Sequence, residues 1–170
     1  MRIDVGEWQI RSYRSEDAEA LARYANNRNV SRNLRDAFPY PYTLAHAETW
    51  IDLVAQQATE TDFAIASEPG LIGGIGLQTQ RDVHRRSGEI GYWLGEPFWG
   101  QGIATAVLRA FTEYAFEQFD LVRVYGYVYE WNPASARVLE KVGYQCEGRL
   151  KKSVTKDGQV IDQFVYAMTR

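Results

Sequence analysis

Apolar side chains that recur at three- and four-residue spacing predict four helices in the chain. These helices are predicted to begin at Ser15, Thr43, Gly100 and Asn132. Ser15 is a capping residue type, and two acidic residues follow it, as suits the positive end of a helix. The last helix has Asn132 as its cap, Pro133 in its first turn and Gly143 just beyond its end, so both of its boundaries are predicted.

Segments in which apolar and polar positions alternate predict seven strands. They cover residues 7–14, 62–67, 71–79, 88–94, 121–130, 144–154 and 160–168. The clearest alternation places Val124 and Val128 on one face of a strand and Tyr125 and Tyr127 on the other. Segment 38–42 contains two prolines and is predicted to be a loop. The order of elements predicts an α/β or α+β fold, with one sheet and helices on its faces.

Length and composition narrow the class of protein. The chain has 170 residues, 45% hydrophobic and 24% charged, which is typical of one globular domain spanning residues 1–170. A net charge of −3 argues against a nucleic-acid-binding protein. No apolar run reaches the roughly 18 residues of a membrane helix, and acids stand where a secretory signal would be apolar. With Cys146 as the single cysteine, we expect a cytoplasmic protein without membrane or nucleic-acid partners.

The stretch 93–105 carries the strongest chemical signal in the sequence. A predicted strand ends there, a turn with Gly100 and Gly102 follows, and a helix begins. The first amides of a helix lack internal partners and lie at its positive end, so this turn suits a phosphate group. A Walker loop is excluded, because it needs Lys and Ser or Thr after the second glycine. A dinucleotide fingerprint is incomplete, since Thr105 replaces its third glycine, and a tight turn without any ligand stays an alternative.

Four segments together resemble the GNAT superfamily of N-acetyltransferases. Residues 100–104 resemble the loop that holds the pyrophosphate of acetyl-CoA, and residues 89–94 resemble the strand before it. Residues 132–144 resemble the N-x-x-S and L-E-K-x-G-F segment, and residues 28–42 resemble the substrate-side helix and loop. The resemblance is specifically to the branch of ribosomal-protein-alanine N-acetyltransferases. One departure is Trp99, at a position where family members often carry Arg or Gln.

The resemblance implies a GNAT-like fold, in which one mixed, mostly antiparallel seven-stranded sheet carries about four helices on its two faces. The central strand pair is expected to splay apart, and the pantetheine arm of acetyl-CoA to fill the gap. Backbone N–H groups near Trp93 and Leu94 would meet the thioester carbonyl. The residues implied in coenzyme binding are Trp93, Leu94, Gly100, Gln101, Gly102, Ile103, Ala104, Thr105, Asn132, Ser135 and Arg137.

Acetyl transfer to an amine needs a base for the amine and stabilisation of the departing thiolate. The resemblance points to Glu89 as the base, acting through water, and a solvated outward position of Glu89 is the alternative. Glu130, at the end of the neighbouring strand, is the weaker candidate. Many family members use a tyrosine at the sulfur, where this chain has Leu139. The resembled branch offers Ser135 instead, whose alternative role is to stabilise the first turn of its helix.

The aromatic-proline segment 38–42 is predicted to wall the acceptor site. The residues implied in acceptor binding are Phe38, Tyr40, Glu89 and Tyr92. No metal site is predicted, because His46 and His84 lie far apart and one cysteine gives no zinc spacing.

Other polar or small residues are given structural roles. Gly73 and Gly74 are expected to allow a bulge or close packing. The arginines of loop 80–87 are expected to be solvated, with attraction of an acidic substrate or of the adenosine 3′-phosphate as the alternative. Cys146 is expected to be a small buried side chain.

These features predict an enzyme that moves an acetyl group directly from acetyl-CoA to a primary amine, without a covalent acetyl-enzyme. The expected acceptor is the N-terminal α-amine of a protein. The alternative within this class is a polyamine, aminoglycoside or amino sugar. The alternative from another class is a CoA-binding sensor module without activity, which the missing tyrosine at Leu139 favours. The resemblance also implies a homodimer, the state common among family members.

Overall fold

The structure, a computed structural model, describes residues 1–170. Its eight strands are β1 (Arg2–Val5), β2 (Trp8–Arg11), β3 (Asp62–Ser67), β4 (Gly70–Thr79), β5 (Ser87–Leu94), β6 (Arg123–Tyr129), β7 (Gln145–Lys156) and β8 (Gln159–Thr169). Its α-helices are α1 (Ala18–Ala25), α2 (Arg28–Ser31), α3 (Leu44–Ala55), α4 (Ile103–Gln118) and α5 (Pro133–Val142). Short 3₁₀ turns lie at Ser15–Asp17, Asp82–His84 and Glu96–Phe98.

The strands form one sheet in the order β1-β2-β3-β4-β5-β6-β8-β7. β5 and β6 run parallel, whereas β1 with β2, β2 with β3, β3 with β4, β6 with β8 and β7 with β8 are antiparallel. The ladder between β5 and β6 pairs residues 87–89 with residues 123–125. Beyond that ladder β5 continues to Leu94 and β6 to Tyr129. The predicted mixed, mostly antiparallel sheet is confirmed.

The sheet has eight strands where seven were predicted, and the additional strand is β1. Gly6 has φ +62 and turns the chain between β1 and β2, which pair from Arg2 with Arg11 to Val5 with Trp8. The prediction merged this region into one strand at residues 7–14. A strand of four residues, none of them fully buried, is too short to show a periodicity of its own.

The structure has five α-helices where about four were predicted. The additional helix is α2, a single turn within the predicted substrate-side segment. Asn27 caps it, because its Oδ1 accepts a hydrogen bond from the backbone N–H of Asn29 at 2.8 Å. α4 begins at Ile103 and not at Gly100, since Gly100 and Gly102 have φ of +74 and +79, outside the helical region.

The start of the first helix also differs from the prediction, because Ser15 does not cap it. Residues Ser15–Asp17 form a 3₁₀ turn, and α1 follows from Ala18. The carboxylate of Asp17 accepts from the Arg14 backbone N–H at 2.9 Å and from both terminal nitrogens of Arg11 at 2.7 Å. Asp17 and Arg11 are both buried. These bonds hold the backbone just before α1 in place. Loss of either charged partner would leave a buried charge uncompensated.

The predicted starts of the helices at Thr43 and Asn132 agree with the structure, as does the predicted end of the second at Gly143. The Thr43 hydroxyl accepts from the His46 backbone N–H, and His46 Nδ1 accepts from the Thr43 backbone N–H. His46 therefore belongs to a capping box at the start of α3. α5 begins after its cap Asn132 and ends at Gly143, which has φ +113.

Two compact units make up the chain. The first comprises residues 1–76 and 92–107, and the second comprises residues 77–91 and 108–170. The first unit packs α1 and α3 around a core of Ala18, Leu21, Ala25, Tyr42, Ala47, Ile51, Ala64 and Leu71. The second buries Leu108, Phe111, Ala115, Val124, Val128, Leu139 and Tyr166. None of the helices combines the length and apolar character needed to cross a bilayer.

Candidate functional site

The glycine loop at the start of α4 has the geometry of an anion cradle. Gly100 and Gly102 both adopt left-handed conformations, and a Cβ built on either would meet no atom within 4 Å. Glycine is thus required by the backbone and leaves open space in front of the loop. The Ala106 N–H donates to the Gly102 carbonyl, so the amides of residues 103–105 precede the first intrahelical bond. These amides can hold a phosphate group.

Side chains of the loop, and of Trp99 before it, make contacts within the protein. Gln101 Nε2 donates to the Pro97 carbonyl at 3.0 Å, and Ile103 is buried. Trp99, the residue that departs from the family pattern, donates from its indole Nε1 to the Leu94 carbonyl at 2.8 Å. Trp99 therefore lies against the segment that enters the loop.

Aromatic rings line the first unit beside the end of β5. Phe38 lies 5.5 Å from Trp93 and 5.0 Å from Tyr42, measured between ring centroids. Tyr13 and Trp50 pack against the same buried cluster. The structure thus brings together Phe38 and Trp93, two of the predicted site residues, with Tyr42 of the predicted wall segment 38–42. It adds Tyr13 and Trp50, which are not among the predicted site residues. The high aromatic content, 14% of the chain, was their only signal.

The other two predicted acceptor residues of this unit take different positions. Tyr40 is half exposed, and the guanidinium of Arg28 lies 5.4 Å from the centroid of its ring. Tyr92 is half-buried on β5, next to Trp93. Of the predicted acceptor residues in segment 38–42, Phe38 is therefore the one that contacts Trp93 of β5.

Gly73 and Gly74 on β4 permit the close packing that was predicted for them. A Cβ on Gly73 would lie 2.3 Å from the Trp93 carbonyl oxygen. A Cβ on Gly74 would lie 2.5 Å from the Tyr13 hydroxyl and 2.8 Å from Trp93 Nε1. These two glycines let Tyr13 and Trp93 approach the β4 backbone.

Glu89 lies in the second unit, at the last paired position of the β5–β6 ladder, opposite Tyr125. Its neighbours Gly88 and Ile90 are buried, and Glu89 itself is half-buried on the other face of β5. Burial raises the pKa of the Tyr125 phenol, and the nearby Glu89 carboxylate raises it further. The carboxylate and the phenol therefore share one face of this strand pair.

The start of α5 presents the remaining predicted residues. Asn132 Oδ1 accepts from the Ser135 backbone N–H at 3.4 Å, which confirms Asn132 as the helix cap. Ser135 is half-buried, and Arg137 is exposed. Leu139, one helical turn beyond Ser135, is buried in the core of the second unit. Leu139, which stands where many family members have a tyrosine, therefore packs in the core of this chain.

Glu130, the weaker candidate for the base, is held in a network around β8. Its Oε1 accepts from the Asp162 backbone N–H at 3.0 Å, and its Oε2 lies 3.4 Å from the Arg149 guanidinium. The Lys152 backbone N–H and Arg149 lower the pKa of Asp162 in the same network. Both oxygens of the Glu130 carboxylate are therefore engaged in this network.

Residues outside these sites fall into structural roles, with one correction. Cys146 is exposed and not buried, because β7 is the edge strand of the sheet and most of its residues face solvent. Arg86 of the loop 80–87 pairs with Asp120 at 2.7 Å, whereas Arg81 and Arg85 are exposed. No group of three or more His, Cys, Asp or Glu side chains is arranged to hold a metal ion.

Comparison with known proteins identifies the family. Residues 8–145 match the family described as Acetyltransferase (GNAT) domain. The chain is 29% identical over 164 residues to the uncharacterized N-acetyltransferase YoaA of Bacillus subtilis, covering 95% of this chain and 92% of that protein. It is 24% identical over 152 residues to spermidine N(1)-acetyltransferase of Escherichia coli, covering 89% and 80%.

A solved structure shows the same fold. RimL, described as a ribosomal L7/L12 α-N-protein acetyltransferase in complex with coenzyme A, superposes with a TM-score of 0.86 at 22% identity. The superposition covers 99% of this chain and 98% of that one. Proteins named for a protein amine and for a polyamine are therefore both similar to this chain. The chain belongs to the GNAT family and is an acetyl-CoA-dependent N-acetyltransferase.

Proposed function

We propose that this N-acetyltransferase acts on the N-terminal α-amine of a protein, in a direct transfer from acetyl-CoA. The observation that carries the choice of acceptor is the local charge beside the rings of Phe38, Tyr42 and Trp93, here called the aromatic wall. Residues 23–40 contain four arginines and one aspartate, although the whole chain has a net charge of −3. Arg28 lies over Tyr40 in this segment. Such a segment repels a polyamine and attracts an acidic polypeptide within about 8 Å, the Debye length at physiological salt.

The acid–base chemistry of the acceptor supports the same choice. A free α-amine has a pKa of about 7.7–8.0, whereas a lysine amine has one of about 10.4. An α-amine is therefore partly deprotonated at neutral pH, and one half-buried carboxylate is enough to complete the deprotonation. Glu89 is the carboxylate that we assign to this step.

The proposed reaction forms one bond and breaks one bond. The amine nitrogen attacks the thioester carbon, its proton passes through water to Glu89, and the carbon–sulfur bond breaks as the amide forms. Sulfur leaves as a thiolate, which Ser135 stabilises by donating a hydrogen bond. The loop at Gly100 and Gly102 holds the pyrophosphate with the amides of residues 103–105.

The test is an amine panel in which release of free CoA thiol is followed. The panel contains a peptide with a free N-terminal alanine, the same peptide with a blocked N-terminus and an internal lysine, spermidine and an amino sugar. We expect release above the hydrolysis background with the free N-terminus and none with its blocked control.

Two other outcomes contradict the proposal in different ways. Release with spermidine or the amino sugar alone would assign the enzyme to small amines. CoA binding without release across the panel would support the non-catalytic sensor module.

Replacement of Ser135 by alanine tests its role at the sulfur. We expect kcat to fall about tenfold, the effect of one hydrogen bond to a developing charge, while KM for acetyl-CoA changes less than about twofold. The cap of α5 uses the Ser135 backbone N–H, which alanine keeps, so the melting temperature serves as the control. A change confined to KM would assign Ser135 to binding.

A further inference from the structure

The turn Glu96–Phe98, just before the glycine loop, is tied to α2 by the side chains of Asn27, Asn29 and Glu96, here called the Glu96 clamp. Asn27 Nδ2 donates to Glu96 Oε2 at 2.6 Å. Asn29 Nδ2 donates to Glu96 Oε1 at 2.9 Å. Both oxygens of one carboxylate are therefore bound by two amides from the start of α2, a geometry that fixes the turn in orientation as well as in distance.

The orientation of the Asn27 side-chain amide follows from its hydrogen bond to the backbone. Asn27 Oδ1 accepts from the Asn29 N–H as the cap of α2, so the nitrogen of the same amide must face Glu96. The cap and the clamp thus share one side chain. A substitution of Glu96 therefore removes a hydrogen-bond partner of Asn27, the residue that caps α2.

On its acceptor side, the start of α2 is joined to the aromatic wall. Asn26 Oδ1 accepts from the Tyr42 backbone N–H at 3.0 Å. Tyr42 in turn packs against Phe38, which contacts Trp93. The hydrogen bonds made by the asparagines at the start of α2 therefore link the aromatic wall to Glu96.

On its coenzyme side, the clamped turn leads directly into the glycine loop. Phe98 packs edge-on against Tyr24 of α1 at 5.1 Å, and Gly95 lies against the same ring. The Pro97 carbonyl accepts from Gln101, the residue between the two left-handed glycines. A displacement of Glu96 would thus move the backbone that carries the cradle.

We propose that Glu96 is a positioning residue that couples the aromatic wall to the glycine loop, so that binding of the coenzyme orders the start of α2. This inference rests on the assignment of the glycine loop to the coenzyme. The clamp carries this coupling through two hydrogen bonds, and none of its three side chains is assigned a step of the reaction.

The hydrogen-bond pattern of the clamp allows a rescue experiment. In Glu96→Gln both hydrogen bonds of the clamp lose the negative charge of their acceptor, and the Asn29 amide must turn over to keep its bond. In Asn29→Asp two carboxylates face each other. When both substitutions are combined, the new amide at position 96 accepts from Asn27 and donates to the new carboxylate at position 29, so the pattern is restored with the same total charge. We expect each single variant to weaken CoA binding about tenfold, the cost of one charge-assisted hydrogen bond, and the double variant to bind within about twofold of the wild type.

Hydrogen exchange supplies a readout that a purely structural role would not move. CoA is expected to slow exchange at residues 26–34 in the wild type and in the double variant, and to leave it unchanged in each single variant. Glu16→Gln is the matched control, since it alters an exposed carboxylate of the same unit that pairs with Arg14 at 3.3 Å. It should bind CoA as the wild type does.

The outcomes distinguish a failure of the proposed role of Glu96 from a failure of the proposed coenzyme site. Single variants that bind CoA as the wild type does, or a double variant as weak as the singles, would overturn the role of Glu96. A wild-type protein that fails to bind CoA would instead overturn the assignment of the loop, and the inference with it.

Discussion

The replacement Gly102→Asp is expected to weaken CoA binding by at least about 100-fold, measured by isothermal titration calorimetry. The structure gives two reasons. A side chain at this position would project into the open space in front of the loop, where no atom lies within 4 Å. Its carboxylate would also bring a negative charge to the helix amides that are proposed to hold the diphosphate.

Two further variants separate the charge from the strain of the backbone. Any side chain at Gly102 adopts φ near +79, which costs about 1–2 kcal/mol. Gly102→Ala has this strain without a charge and should lose much less affinity. Gly158→Asp has a similar strain at φ +73, also in open space, in the turn between β7 and β8, and should bind CoA normally. Retained affinity in Gly102→Asp would show that another loop holds the coenzyme.

Elements with strong local signals could be predicted from the sequence. α5 is the clearest case, because Asn132, Pro133 and Gly143 each act within one turn of the helix end. The turn with Gly100 and Gly102 was predicted for the same reason, since glycine at these two positions permits their left-handed conformations. In contrast, β1 and α2 comprise four residues each, too few for hydrophobic periodicity to show.

Contacts between distant residues could not be predicted in this way. Glu96 and Asn27 are 69 positions apart, and nothing in either local sequence indicates the partner. Cys146 was expected to be buried because free cysteine usually is, but its exposure depends on β7 lying at the edge of the sheet. The face of Glu89 was likewise left open by the sequence, since alternation in one strand does not tell which side is buried. The burial of its neighbours Gly88 and Ile90 decides it.

The replacement Glu89→Gln is expected to lower kcat about 100-fold at pH 7, the lower end of what a general base contributes. Glutamine keeps the size of the side chain and can still bind water, but it cannot accept a proton. KM for acetyl-CoA should stay near its wild-type value, because Glu89 is assigned to the acceptor and not to the coenzyme. Steady-state kinetics with the best amine of the panel measure both quantities.

Glu130→Gln is the matched control for this variant. It replaces the carboxylate of the neighbouring strand, whose oxygens are bound by the Asp162 N–H and by Arg149. We expect it to lower the melting temperature slightly and to leave kcat within about twofold, as is usual for a surface substitution. A reversal of the two results, with Glu130→Gln inactive and Glu89→Gln active, would move the base to the end of β6.

The pH dependence distinguishes loss of a base from loss of structure. An α-amine with a pKa of about 7.7–8.0 is mostly neutral in solution at pH 9, so it no longer needs a base on the enzyme. The deficit of Glu89→Gln should therefore shrink between pH 7 and pH 9. Tyr125 cannot take over the role in this variant, because burial still raises the pKa of its phenol after the Glu89 charge is removed, and a neutral phenol accepts no proton. A deficit that is constant across this range would mean that Glu89 shapes the site and takes no proton.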